Sequence, residues 1–201
     1  MNAAVIADSA VITQESIDRH MSHLKGFELV VFSDVNIAYR KDGKFFLIDK
    51  MRSIDSYNNL LLSEWFWSRL IDYDRVLIFQ QDSGLLRSGI EEFLEWDYVG
   101  APWKSGASWA RKDRKGGNGG LSIRNPKKCL NLLRQIKYNA SIGNEDCYFT
   151  HHLDKVGGNI APHEVCRSFS VESEFYPQPL GYHAIDKYLT PQQVNSIING
   201  L

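Results

Sequence analysis

Residues 76–79 read Val-Leu-Ile-Phe, and this apolar run passes straight into Gln80-Gln81-Asp82. A short run with no polar alternation is the signature of a strand covered on both faces. Two further runs repeat the pattern: Ala3 to Ala7, closed by Asp8, and Phe27 to Phe32, closed by Ser33-Asp34. Helical stretches lie between them. Thr13 is placed to cap a helix reaching Leu24, and Ser56 to Leu70 carries Leu61/Trp65 and Leu62/Phe66 in i, i+4 relation. Strands alternating with helices predict an α/β fold whose central, mainly parallel sheet is flanked by helices, in one domain over 1–201.

The remaining elements follow from local signals. Asp42-Gly43 between β-prone residues predicts a hairpin within Ile37 to Ile48. Ser88 with Glu91 reads as a capping box opening a helix from Gly89 to Glu95. Asp97 to Ala101 and Leu121 to Arg124 are expected strands, joined by a polar, Gly- and Lys-rich loop from Lys104 to Gly117. Asn125-Pro126 starts a helix reaching about Tyr138, and Asn144 caps one from Glu145 to Val156. A strand over Phe169 to Phe175 and a last helix after Thr190-Pro191 complete the expectation.

Bulk properties narrow the partners. The net charge of -1 supplies no broad basic field for nucleic acid or an anionic membrane, so ligand charge must be handled locally. No run approaches the roughly 20 apolar residues of a membrane span. The opening residues lack the basic and apolar regions of a signal peptide. Cys129, Cys147 and Cys166 are far apart with no CxxC pair, which points to reduced thiols in a cytoplasmic protein. An exported glycan product would instead place this domain on the cytoplasmic side or make it one module of a longer chain.

Four constellations carry chemistry. Asp82 closes the clearest strand, where open α/β sheets bind ligands, and a carboxylate there can hold a hard divalent cation against a diphosphate. A turn or capping role for Asp82 stands beside that reading. Gly116-Gly117-Asn118-Gly119-Gly120 lets backbone N–H groups approach a ligand, or serves as a flexible hairpin. It lacks the Gly-Lys-Ser/Thr ending of a P-loop and the spacing of a dinucleotide fingerprint. Glu145 and Asp146 fall in one helical first turn, where the helix dipole favours them and where one can act as a general base. Neighbouring helical positions diverge, so only one should face the reacting carbon. His183 follows Gly181-Tyr182 late in the chain, within reach of a metal if the fold returns it there, whereas His151 and His152 read as structural.

The order of these motifs resembles GT-A-type glycosyltransferases, and most closely a poorly characterised bacterial and viral glycosyltransferase-like family. The resemblance runs from about Ser53 to His183. It is carried by Tyr57-Asn-Asn-Leu-Leu-Leu-Ser63, Ile78-Phe-Gln-Gln-Asp82, Asp97-Tyr-Val-Gly-Ala-Pro-Trp103, the Gly-Asn-Gly-Gly segment, Asn144-Glu-Asp146 and Gly181-Tyr-His183. It implies a sugar moved from a nucleotide-diphosphate donor, typically a UDP-sugar, to a glycan hydroxyl with help from Mn²⁺ or Mg²⁺. Asp82 takes the place of the last acid of the family's Asp-x-Asp motif, with Gln80 where the first acid would stand. His183 matches the late metal-completing histidine, and Asp146 matches the base of inverting members, with Glu145 its competitor. Asn118, Gly119 and Gly120 match the loop beside donor sugar and acceptor, where Trp103 offers an aromatic face. Donor contacts are expected from Ala7, Asp8, Ser33, Arg52, Tyr57, Asn58, Gln80 and Gln81. Two other readings remain: a non-catalytic nucleotide- or carbohydrate-binding module, and a metal-dependent nucleotidyltransferase or phosphohydrolase.

Overall fold

A computed structural model describes residues 1–8, 12–35 and 43–200. Its strands are β1 (Asn2–Ala7), β2 (Phe27–Ser33), β3 (Lys44–Leu47), β4 (Arg75–Phe79), β5 (Ser83–Leu85), β6 (Tyr98–Ala101), β7 (Asn118–Arg124), β8 (Ser170–Val171) and β9 (Gly181–His183). Its α-helices are α1 (Gln14–Met21), α2 (Ile54–Leu61), α3 (Glu64–Ser68), α4 (Pro126–Gln135), α5 (Glu145–His152), α6 (His163–Phe169) and α7 (Pro191–Asn199). Six strands form one sheet in the order β3-β2-β1-β4-β7-β6, with the first four parallel and β7 antiparallel to both neighbours. A smaller sheet has the order β5-β9-β8.

The apolar runs are explained by burial on both faces. Ala3, Val5 and Ala7 of β1 join Val30, Phe32, Phe66, Trp67 and Phe149 in one core layer. Ala4 and Ile6 point the other way, against Ile17, Leu77, Phe79, Phe93 and Phe169. A strand whose alternate side chains both meet helices has no position for a polar residue until it ends, so polar groups collect at the strand ends.

Several local expectations change. The stretch 56–70 is two helices, because Ser63 caps α3 through Phe66 N–H (3.2 Å) and interrupts the run after Leu61. The proposed Ser88 capping box is absent: Gly89, at φ 119°, precedes a 3-10 turn over Ile90–Phe93 with no side-chain cap. The strand over 169–175 shrinks to Ser170–Val171, since α6 runs through Phe169. The helix from Asn125 ends at Gln135, and the one from Glu145 at His152, continuing as a 3-10 turn to Val156. The first arm of the hairpin expected within Ile37 to Ile48 lies outside the described residues. Its second arm is β3, which pairs parallel with β2.

Helix α1 supports the end of β4 from below. The His20 ring stacks on Phe79 with centroids 4.2 Å apart, and its Nε2 meets Ser83 Oγ at 3.0 Å while Nδ1 meets Ser16 O at 2.7 Å. Arg19 Nη1 donates to Ser83 O at 3.2 Å. Burial pushes the His20 pKa down from 6.5 to about 4, so the ring is neutral in the native state. The unfolded chain takes up that proton below 6.5. This part of the stability is therefore complete above pH 6.5 and is lost as pH falls towards 4, amounting to about 2–3 kcal/mol. Urea unfolding at pH 7 and pH 4.5 should show this loss in the wild type and a smaller one in His20→Gln. An equal loss in both would refute it.

Candidate functional site

The turn after β4 is held by its backbone. Gln80 N–H donates to Gly120 O (2.9 Å), and Gln80 O accepts from Ser83 N–H (3.1 Å) and Ser83 Oγ (2.6 Å). Directly after it, β5 pairs antiparallel with β9, setting Ser83 opposite His183. Ala184, at φ 50°, donates its N–H to Asp82 O at 2.9 Å. Strand β8 pairs with β9 on the other side, so Glu172 follows it to the same place. The small sheet thus gathers residues about 100 positions apart in sequence.

His183 is the centre of this group. Its Nε2 lies 3.3 Å from Asp82 Oδ1 and 2.9 Å from Gln80 Oε1, and its Nδ1 is 3.1 Å from Glu172 Oε1. Lys187 Nζ donates to Asp82 Oδ2 at 2.9 Å. Burial by itself would lower the His183 pKa, but the Asp82 and Glu172 carboxylates outweigh it and raise it to about 9. Asp82 is held well below the ordinary carboxylate range, first by His183 and then by Lys187, against its desolvation. Gly120 lets the β7 backbone lie against this imidazole, since a Cβ there would overlap the ring.

A second group lies across the same cleft. Glu145 and Asp146 open α5, with 3% and 8% of their surfaces exposed. Both Glu145 oxygens pair with the guanidinium of Arg124, which is fully buried. Asp146 instead accepts backbone N–H groups, from Gly119 at 3.2 Å and Cys147 at 2.7 Å. Burial raises its pKa from 3.8 to about 6, with the Glu145 charge adding to the rise and Arg124 and the two N–H groups opposing it. Asn144 makes no side-chain cap for α5. Asn58 takes that place, accepting Glu145 N–H at 3.3 Å and donating to Asn144 Oδ1 at 3.1 Å.

These groups line one cleft of about 600 Å³. Ala7, Asp8, Tyr57, Asn58, Gln80, Gln81, Asp82, Asn118, Gly119, Gly120, Glu145, Asp146 and His183 all border it. Gln81 Nε2 donates to Asp8 Oδ2 at 3.0 Å, which ties the end of β1 to the turn after β4. Ser33 and Arg52 lie outside this lining. Ser33 is buried and its hydroxyl accepts Val35 N–H at 3.4 Å, while the exposed Arg52 donates its backbone N–H to Ser56 Oγ at 2.9 Å. Trp103 borders a second cleft of about 810 Å³ with Trp109 and Lys104. The two clefts share Asn118, Asn144, Asp146, Glu172 and Tyr188.

Sequence reasoning missed Glu172, Lys187 and Arg124. Glu172 and Lys187 had no motif around them. Arg124 ends a strand identified from its sequence, and a charged residue closing an apolar run was a usable signal. Among the described residues, no group of three or more His, Cys, Asp or Glu side chains is arranged to hold a metal ion. No helix of the described residues is long and apolar enough to cross a membrane.

Residues 42–183 match the family described as "Protein of unknown function (DUF5672)". The chain belongs to the DUF5672 family. The matched span starts just before β3 and ends on His183, so it includes the turn after β4, the glycine segment and the acids of α5. Among solved structures, this DUF5672 member is similar to the apo-form glycosyltransferase GlyE of Streptococcus pneumoniae TIGR4, with TM-score 0.53 and 14% identity. That likeness covers 94% of this chain and 55% of GlyE, so the chain spans little more than half of that protein. It shows a glycosyltransferase-like α/β fold. A second match, A197 from STIV, has TM-score 0.43 and 17% identity over 76% of this chain and 78% of that one. No curated protein matches the sequence.

Proposed function

We propose that this chain is a glycosyltransferase catalytic domain that moves a sugar from a nucleotide-diphosphate donor, a UDP-sugar by resemblance, to a glycan hydroxyl with inversion. The observation that carries this reading is the place of Asp146. Asp146 borders both clefts, one leading to Asp82 and His183 and the other to Trp103 and Trp109. A donor in the first cleft and an acceptor in the second would meet at that residue. Asp146 would take the acceptor proton as the new glycosidic bond forms and the bond to the leaving diphosphate breaks. A carboxyl raised to about 6 is ionised at neutral pH and basic enough for this step. The half-exposed Trp109 would supply an aromatic face for a sugar ring, with the buried edge of Trp103 lining the same cleft.

The leaving diphosphate needs positive charge. Asp82 and His183 would hold Mn²⁺ or Mg²⁺, with the Gln80 amide oxygen beside them: the carboxylate and amide oxygens suit such ions, and the imidazole would first give up the proton that Asp82 and Glu172 hold on it. When bound, the ion would neutralise phosphate charge that develops on the leaving group. With so few protein ligands, it would depend on the diphosphate to complete its shell. Glu172 would orient the imidazole through Nδ1. Lys187 adds a cation at the same spot.

UDP release from a panel of UDP-sugars, with Mn²⁺ and with EDTA, tests the proposal. We expect metal-dependent turnover in the wild type and its loss in Asp82→Ala, with the unfolding midpoint little changed. Full activity in that variant would refute the metal assignment. Gln80 in place of a first acid favours one second reading, a binding module without turnover. That reading predicts Mn²⁺-dependent binding of UDP but no UDP release from any donor.

A further inference from the structure

We propose that Arg124 is a positioning residue for Asp146. Its pairing with Glu145 locks the first turn of α5, so that Asp146, and not Glu145, is the carboxylate left without a cationic partner where the two clefts meet. This rests on the reading of Asp146 as the base.

The contacts form one continuous chain. Arg124 is fully buried at the end of β7, its guanidinium 4.9 Å from the Tyr98 ring and 5.3 Å from the Phe149 ring. Its Nε donates to Ser122 Oγ at 3.0 Å, and both terminal nitrogens face Glu145. Nε and both terminal nitrogens are thus engaged, and both Glu145 oxygens are turned onto a fixed cation, whereas those of Asp146 meet only neutral backbone N–H groups. Five residues earlier on the same strand, Gly119 sends its N–H to Asp146 Oδ2 at 3.2 Å. A Cβ on Gly119 would run into Arg124, Glu145 and Asp146 together, so strand and helix touch with no slack between them. One strand thus fixes both acids, the first through a side chain at its end and the second through a backbone N–H at its start.

A buried ion pair adds little net stability over well-packed apolar residues, so stability alone is a poor account of this pair. Its fork geometry does specify direction. The titratable and charged groups facing Asp146 are Glu145 and Cys147 on its own helix, Arg124 on β7, Tyr98 on β6 and Tyr57 on α2. Arg124 and Glu145 are the two charged ones among them, and they act on Asp146 in opposite senses.

The test uses Glu145→Gln and Arg124→Lys, with circular dichroism to confirm folding. The Asp146 carboxyl is titrated by ¹³C NMR on the protein alone, and kcat and KM are read from UDP release. In Glu145→Gln the anion is gone and the cation remains, so the Asp146 titration should move down by about 1 pH unit. In Arg124→Lys the charge stays but the fork is lost, so kcat should fall by about 10- to 100-fold with KM changed far less. Folded variants with wild-type kcat and an unmoved Asp146 titration would overturn the proposal. If Arg124→Lys does not fold, Glu145→Gln decides by its titration and kcat. A fully active Asp146→Asn would instead remove the catalytic reading, whatever the titrations show, so the two failures are separate.

Discussion

Replacing Asp146 by Asn is expected to lower sugar transfer by about a thousandfold, the middle of the range for losing a positioned general base. The wild-type rate should also rise with pH through a single limb near 6, because the active form is the carboxylate and burial holds its pKa at about 6. As pH falls through that value a base at Asp146 would gain its proton and activity would be lost. The Asp146 carboxyl itself should contribute no further change above pH 7. In Asp146→Asn the residual rate should show no limb at 6. The substitution has a structural side as well. Both carboxyl oxygens accept backbone N–H groups, from Gly119 and Cys147, and an amide offers one oxygen for the two. Leaving one donor unpaired costs about 1–3 kcal/mol, so rates should be compared at a temperature where the variant is fully folded. A variant that keeps the wild-type rate, or a wild type with no limb between pH 5 and 7, would sink the base assignment.

The second large effect is on stability. Arg124→Met should destabilise the fold by about 3–5 kcal/mol, since it leaves the Glu145 carboxylate buried without its partner. The same variant forfeits the contacts of the guanidinium with the Tyr98 and Phe149 rings, which methionine replaces in part. Adding Glu145→Leu to Arg124→Met should recover much of that loss, because an apolar pair of similar volume no longer requires a buried charge to be solvated. Chemical denaturation of the two single variants and the double variant would measure this. A single variant within 1 kcal/mol of wild type would show that Glu145 reaches solvent or another cation once Arg124 is gone.

The legible part of this fold was the set of strands buried on both faces. Their apolar residues have no alternation to hide, so Ala3–Ala7, Phe27–Phe32 and Arg75–Phe79 could be read directly, and so could the acid that ends the last of them. The break at Ser63 was less legible, because apolar periodicity continues across it while a serine cap interrupts the helix. The shortness of β8 was also hidden, since Phe169 and Val171 are apolar for different reasons, one closing a helix and the other entering a sheet.

At the candidate site the division is sharper. Local chemistry named Asp82, Glu145, Asp146, Asn118 and His183, because each sits in a short segment whose residue types imply a task. It did not tell Glu145 from Asp146. That choice depends on Arg124, which reaches Glu145 from another element, and on Gly119, whose N–H reaches Asp146. Nor did it supply Glu172 and Lys187, which come to Asp82 and His183 only because β9 lies between β5 and β8. From its order of residues alone, this protein determined its doubly buried strands, its glycine segment and its list of candidate acids, since those depend on neighbours in the chain. Tertiary structure decided which acid is tied to a buried cation and which meets only backbone N–H groups, because a side chain's charge and direction are set by groups that meet it through space.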